Sequence, residues 1–167
     1  MIPEVLFNTH LFVGGTSFRG DVPSLTLPKF KLKVEPFRAG GMDAEIDMDM
    51  GLEKLDAAFV TTGVRKESMT KFGLVDGNSF TGAFRGAFKG QGGKITAVVA
   101  TIRGLLTELD PGDWVVGTKA EFKYAVNCTY YKLEVDGQVW FEFDPVNGIR
   151  IVDGVDQLAE MRNALAL

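Results

Sequence analysis

Phe30, Leu32 and Val34 alternate strictly with Lys29, Lys31 and Lys33, and beyond a glycine-bearing segment Ile46, Met48 and Met50 alternate with Glu45, Asp47 and Asp49. Period-two alternation puts each set on one face of an extended strand, so residues 24–34 and 45–50 read as two strands of an antiparallel hairpin. Side by side, the lysines of one strand would answer the acids of the other. Each such pair contributes about 0.2–1 kcal/mol, while a slip of one residue would turn the apolar set into water. The pattern specifies a register, and its charged face carries no nucleophile and no metal-binding cluster. It reads as scaffold rather than chemistry.

A chain of 167 residues is an ordinary size for one domain, here taken as 1–167, and can bury roughly 70% of its unfolded surface without covalent staples. Cys128 is the single cysteine, which excludes an intrachain disulfide and a cysteine-based metal cluster and fits synthesis in a reducing cytoplasm. Residues 1–6 lack the basic start and apolar run of a standard export signal, and no stretch approaches the ~18 apolar residues of a membrane span. With a net charge of −4 and scattered lysines and arginines, tight nucleic-acid binding is disfavoured, because neutralising phosphates needs clustered cations.

The rest of the pattern is mainly strands, predicting an antiparallel β-sandwich or barrel. Leu11–Val13 and Thr16–Phe18 flank Gly14-Gly15, a tight-turn pair, and residues 55–62 form a further extended piece ended by Gly63. Residues 65–72 are expected to make a short helix, with Met69 and Phe72 on one side and Gly73 as the stop. In 80–88, Phe80, Gly82, Phe84, Gly86 and Phe88 share one face, so rings from another layer are expected to fill the gaps at the glycines, or the strand to bend there. Residues 94–106 read as a long strand covered on both sides. The apolar phase of 122–135 shifts near Tyr130, predicting a bulge, and Asp136-Gly137 turns the chain into 139–143. Asp153 is expected to cap a C-terminal helix near 155–165, with Val155, Leu158, Met161 and Leu165 on one stripe.

The search for catalysis yields nothing that needs an active site. His10, the sole histidine, lies at a strand entrance, where a structural role is the simpler reading; a hydrolase built on it would lose activity in His10→Ala. Gly90-Gln91-Gly92-Gly93-Lys94 lacks the Ser or Thr and the following helix of a phosphate-binding loop, and reads as a hairpin connection. The acids at 43, 45, 47 and 49 lie along a line instead of around a point, unlike a calcium loop. Cys128 has aromatic neighbours and no basic one, as an inert core thiol does. Trp114, Trp140, Tyr130 and Tyr131 lack interleaved cations, which favours core or protein interface over base stacking. No cofactor and no metal site is expected. A barrel holding a small hydrophobic ligand would also use thirteen phenylalanines, and predicts a stable monomer with a dry pocket.

Ser24–Lys29, Phe37–Asp43, Met50–Glu53, Tyr130–Gly137 and Val152–Leu158, taken in order, resemble blocks of the major tail tube proteins of contractile-tailed phages, and especially of the tube proteins of R-type pyocins, the headless phage-tail bacteriocins. The resemblance implies a structural subunit whose copies form six-membered rings with a continuous inner β-barrel, the rings stacking into a rigid hollow tube. It implies partners in a tail sheath protein, in baseplate and terminator proteins, and in DNA passing through the lumen of a phage. The particle would be a phage tail or a released bacteriocin; a type VI secretion-like tube protein is the related alternative.

By the same resemblance the loop carrying Phe37, Arg38, Gly40, Gly41, Met42 and Asp43 would reach the adjacent ring, with Phe37 and Met42 as apolar anchors, the glycines as the bend and the two charges setting orientation. The hairpin charges Lys31, Lys33, Glu45, Asp47 and Asp49 would line the lumen, where a predominantly acidic wall lets DNA slide by repulsion.

Overall fold

The computed structural model describes residues 2–77 and 79–167; Met1, part of the first stretch read above, and Asn78 lie outside them. The β-rich expectation holds, and local sequence explains most of its elements. The strand β1 (Val5–Val13) turns through Gly14 and Gly15, at φ +56° and +85°, into β2 (Thr16–Ser17). Positive φ at two successive residues is what a two-residue hairpin needs. On its other edge β1 pairs antiparallel with β7 (Phe80–Lys89), which continues through the short helical turn Gln91–Gly93 into β8 (Ile95–Asp110). The glycine-rich stretch before Lys94 is thus a hairpin connection.

The organising strand is β9 (Phe122–Val135), which runs beside β8 along one edge. Its other edge is shared: Phe122–Cys128 pair with β6 (Leu55–Thr61), and Tyr131–Val135 pair with β10 (Gln138–Asp144). Outside β6 lies β3 (Ser24–Thr26); outside β10 follow β11 (Ile149–Val152) and β12 (Val155–Asp156). A separate two-stranded sheet, β4 (Leu32–Phe37) with β5 (Ile46–Leu52), projects from this body.

Alternate residues of β1, β6, β7, β8 and β9 meet in one core. Leu11, Phe59, Phe80, Phe84, Ile102, Leu106 and Tyr124 are almost fully buried. The sheet curls until β6 faces β7, so that the Phe59 ring lies parallel to Tyr124 at 4.6 Å, stacks on Phe80 at 5.6 Å and meets Phe84 edge-on at 5.9 Å. Aromatic rings fill the space that a ligand-carrying barrel would leave open. Over Gly82 the gap is closed by the strand's own rings and not, as expected, by rings from another layer: a Cβ there would sit 2.9 Å from Phe80 and 3.3 Å from Phe84. Strand β8 buries Ala100, Ile102 and Leu106 on one face, whereas Ile95 and Arg103 are exposed; the expectation of cover on both sides fails because, among the described residues, no second layer lies over its outer face.

The predicted bulge falls at Thr129, between the pairs Arg103 with Tyr130 and Gly104 with Cys128. There the backbones approach so closely that a Cβ on Gly104 would lie 2.0 Å from the Asn127 carbonyl oxygen.

Two helices are shorter than expected. The first, α1, spans only Lys66–Met69; Met69 packs on the core while Phe72 leaves the helix to bridge Leu106. The second, α2, spans Ala159–Ala164, and Asp153 does not cap it. Asp153 and Gly154, at φ +50° and +78°, make the same kind of turn as Asp136 and Gly137, at +50° and +82°, and Val155 returns as a strand. The carboxylate that reaches the helix start is that of Asp156, which accepts from the Leu158 N–H at 3.0 Å and pairs with Arg162.

A projecting hairpin as candidate assembly site

The alternating segment forms a hairpin, but neither its extent nor its register is the one expected. Ser24–Thr26 pair with β6, the chain then leaves the ladder through Pro28, and pairing resumes only at Leu32. Val34 stands opposite Asp49, Glu35 opposite Met48, Pro36 opposite Asp47 and Phe37 opposite Ile46, with an irregularity after Leu32. Apolar and charged residues therefore share each face, and no lysine–acid ladder forms. Lys31 lies before the strand, 4.0 Å from Glu53; Lys33 sits in the irregular stretch.

The physical reason is the base of the hairpin. Phe30 inserts among Tyr131, Phe141 and Phe143, with ring centroids 5.4, 5.0 and 5.0 Å away. On the other strand Asp49 accepts a 2.6 Å hydrogen bond from the Arg150 guanidinium and another, at 2.8 Å, from the Gly51 N–H. Gly51 adopts φ +103°, which lets the strand bulge toward this contact. These long-range anchors outweigh about 0.2–1 kcal/mol per cross-strand charge pair.

Arg150, and then the Gly51 amide, hold the Asp49 carboxyl below its usual 3.8. A carboxyl with a lowered native pKa stabilises the native state above the unfolded value and loses that contribution as pH falls through the native one. The anchor should thus be constant at neutral pH and loosen only below about pH 3.8. Amide exchange along β5 is expected to accelerate, relative to intrinsic rates, as pH falls below about 3.8, and Arg150→Gln should shrink that step.

Beyond its base the arm is bare. Val34, Phe37, Ile46, Met48 and Met50 are between 39% and 54% exposed, an unusual amount of large apolar surface on a two-stranded sheet. Its tip is ordered by its own contacts: Arg38 Nε donates to the Met42 carbonyl at 3.1 Å, the Met42 N–H to the Ala39 carbonyl at 3.2 Å, and the Ala39 N–H to the Met42 sulfur at 3.3 Å, with Gly41 at φ +85°. Met42 is consequently half-buried, not the bare anchor expected, whereas Phe37, Gly40 and Asp43 are exposed. Lys33, Glu45 and Asp47 make no ion pair among the described residues.

The remaining candidates for chemistry are accounted for structurally. His10 Nε2 lies 2.7 Å from the Ser17 hydroxyl, and its ring packs on Phe12 at 4.3 Å. Burial, and then the nearby Asp56 charge, push the Cys128 thiol up to about 12. Tyr130 donates to Glu142 at 2.9 Å beneath the Arg103 guanidinium, and is raised to about 12 by burial and by that carboxylate. Tyr131 is core, while Trp114 and Trp140 are exposed. Among the described residues no three His, Cys, Asp or Glu side chains are grouped to hold a metal, and no helix is long and apolar enough to cross a membrane.

A curled antiparallel sheet with an unpaired apolar arm defines a building block. The sequence pattern of the phage tail tube protein FII family matches residues 3–165, and the chain belongs to that family. It is 38% identical over 155 residues to the major tail tube protein of Serratia phage KSP20, covering 92% of this chain and 90% of the relative. With the tail tube protein of Escherichia phage P2 it shares 31% over 170 residues, 99% of each chain. Its fold is similar to chains of an extracellular contractile injection system, PVC. A sheath/tube terminator structure superimposes with a TM-score of 0.61 at 9% identity, over 80% of this chain and 98% of the other; a sheath–tube complex gives 0.58 at 8%, over 79% and 91%. The protein is a structural tail-tube subunit and not an enzyme.

Proposed function

We propose that six copies close into a ring and that rings stack into a rigid hollow tube, enclosed by a sheath protein and ended by baseplate and terminator proteins. The bare arm carries this reading: an apolar two-stranded sheet is marginal in water, and copies of the same chain can cover it. Phe37, Arg38, Gly40, Gly41, Met42 and Asp43 then form the contact to the adjacent ring, with the internal bonds of the tip lowering the entropy lost on docking. A contracting sheath drives the tube through the target envelope, so stiffness is the working property. In a phage, DNA passes along the lumen without specific binding.

Of the hairpin charges assigned to the lumen wall, Lys33, Glu45 and Asp47 are the ones available for that role, since Asp49 is bound to Arg150 and Lys31 leans toward Glu53. A ring multiplies the chain's charge of −4 sixfold, and an acidic wall repels DNA. Asp47→Lys should leave tubes assembling while slowing DNA passage in a phage. Loss of tubes in that variant would make Asp47 a packing residue instead.

Negative-stain microscopy of the purified protein tests the main reading: rings or hollow rods are expected. Deleting residues 38–43 should abolish rods and leave rings. A monomer that stays single at every concentration would refute ring assembly.

A further inference from the structure

We propose that Met48 and Met50 form a site of reversible oxidation, at which a hydroperoxide converts two apolar thioethers into sulfoxides and so decides whether the arm can be buried. Three of the chain's six methionines fall between residues 42 and 50. Met48 and Met50 are 39% and 52% exposed, and the period of two along β5 sets them on one face with Ile46, which pairs with Phe37. Beyond Met50 the same apolar strip runs into a cleft of about 560 Å³, lined also by Leu52, Leu158 and Met161. A peroxide reaches both arm sulfurs from open solvent.

Other sulfurs of the subunit are less open to attack. Met42 is half-buried and its sulfur already accepts the Ala39 N–H at 3.3 Å, while Met69 packs on the core from α1. Cys128 is buried and its thiol is pushed up to about 12, so little thiolate competes for oxidant. A thioether needs no deprotonation to react, and its exposure then sets the order. Met161, 42% exposed on α2, belongs with the accessible group but lies off the arm.

In the reaction a sulfur lone pair attacks one peroxide oxygen: the S–O bond forms as the O–O bond breaks, sulfur gives up two electrons to the peroxide, and water leaves after proton transfer. The product is polar and chiral where its parent was apolar and flexible. On the free arm the new oxygen is solvated, so the fold of the subunit is left alone. Docked among apolar side chains it would be buried without a donor, and an unpaired polar group is costly away from water. Oxidation therefore separates folding from assembly, and methionine sulfoxide reductases reverse it. This inference rests on the reading of the arm as an assembly surface and adds a chemical gate to it.

Hydrogen peroxide treatment of the unassembled protein, followed by peptide mass mapping and microscopy, tests the gate. Met48 and Met50 should gain oxygen several-fold faster than Met69 and ahead of Met42, with the far-ultraviolet circular dichroism and the urea midpoint unchanged and rods lost. Sulfoxide reductase should restore the rods. Met48→Leu with Met50→Leu, a swap that keeps volume and apolarity, should assemble before and after treatment although Met161 still reacts; Met161→Leu alone should give no protection. Should the double variant fail to assemble untreated, reductase rescue of the oxidised parent decides instead. Rods already formed should shield both arm sulfurs. Rods that form from protein fully oxidised at Met48 and Met50, or a loss that persists in the double leucine variant, would overturn the gate. Equal rates at Met48, Met50 and Met69 would remove the site itself, whatever the protein assembles into. Absence of rods from untreated protein would instead remove the assembly reading.

Discussion

Gly104→Ala should cost about 3 kcal/mol or more and leave little native subunit, because overpacking against backbone has no side chain to move aside. The added Cβ would lie 2.0 Å from the Asn127 oxygen, 2.9 Å from its carbonyl carbon and 3.0 Å from the Cys128 Cα. This is a steric demand and not a dihedral one. It arises where β9 takes its extra residue at Thr129, drawing the two longest strands together at the point where β9 changes partners. Gly40→Ala is the matched control, since nothing lies within 4 Å of a Cβ there, and a surface change of that kind stays within about 0.5 kcal/mol. Urea unfolding of the two variants beside the parent measures the difference. A Gly104→Ala midpoint equal to that of Gly40→Ala would mean that the bulge relaxes freely.

Phe59→Ala should destabilise the subunit by about 3–5 kcal/mol, the range for deleting a buried aromatic side chain. The ring is 1% exposed and touches Tyr124, Phe80 and Phe84 at once, so its loss opens a void between the two walls of the curled sheet. Phe59→Leu should recover part of the loss by refilling volume without the ring contacts, which are worth about 0.5–1.5 kcal/mol per aromatic pair. Denaturant midpoints, with near-ultraviolet circular dichroism as a monitor of Tyr124 packing, check both. If Phe59→Ala unfolds with the parent, the core closes without this ring.

What could be read directly from the sequence is what local rules decide. The Gly14-Gly15 and Asp136-Gly137 turns, the alternation of 80–88 and the phase shift before Tyr131 each depend on a few adjacent residues, and each appears as an element of the fold. Asp153-Gly154 is the same dipeptide as Asp136-Gly137, but a helical stripe through Leu158 and Met161 competed with it, and the turn won because Val155 finds a ladder partner in Val152. The hairpin was legible as an element and illegible in register. Register is pinned when one face is buried; here both faces are exposed, and the pairing is decided by Phe30 and Arg150, far away in the chain. Of the assembly residues, the glycine tip is legible only through the family resemblance.

The shared edge of β9 has a consequence for the way the subunit is made. Its ladders join residues 55–61 to 122–128, and β1 reaches β7 across dozens of intervening positions, so these pairings wait for distant parts of the chain to meet. Such topologies fold slowly. During that delay an oily, two-stranded arm is available to sister chains that are equally unfinished, the situation in which chains misassemble. Synthesis rate, as much as interface strength, then limits how many sound protomers a cell can deliver.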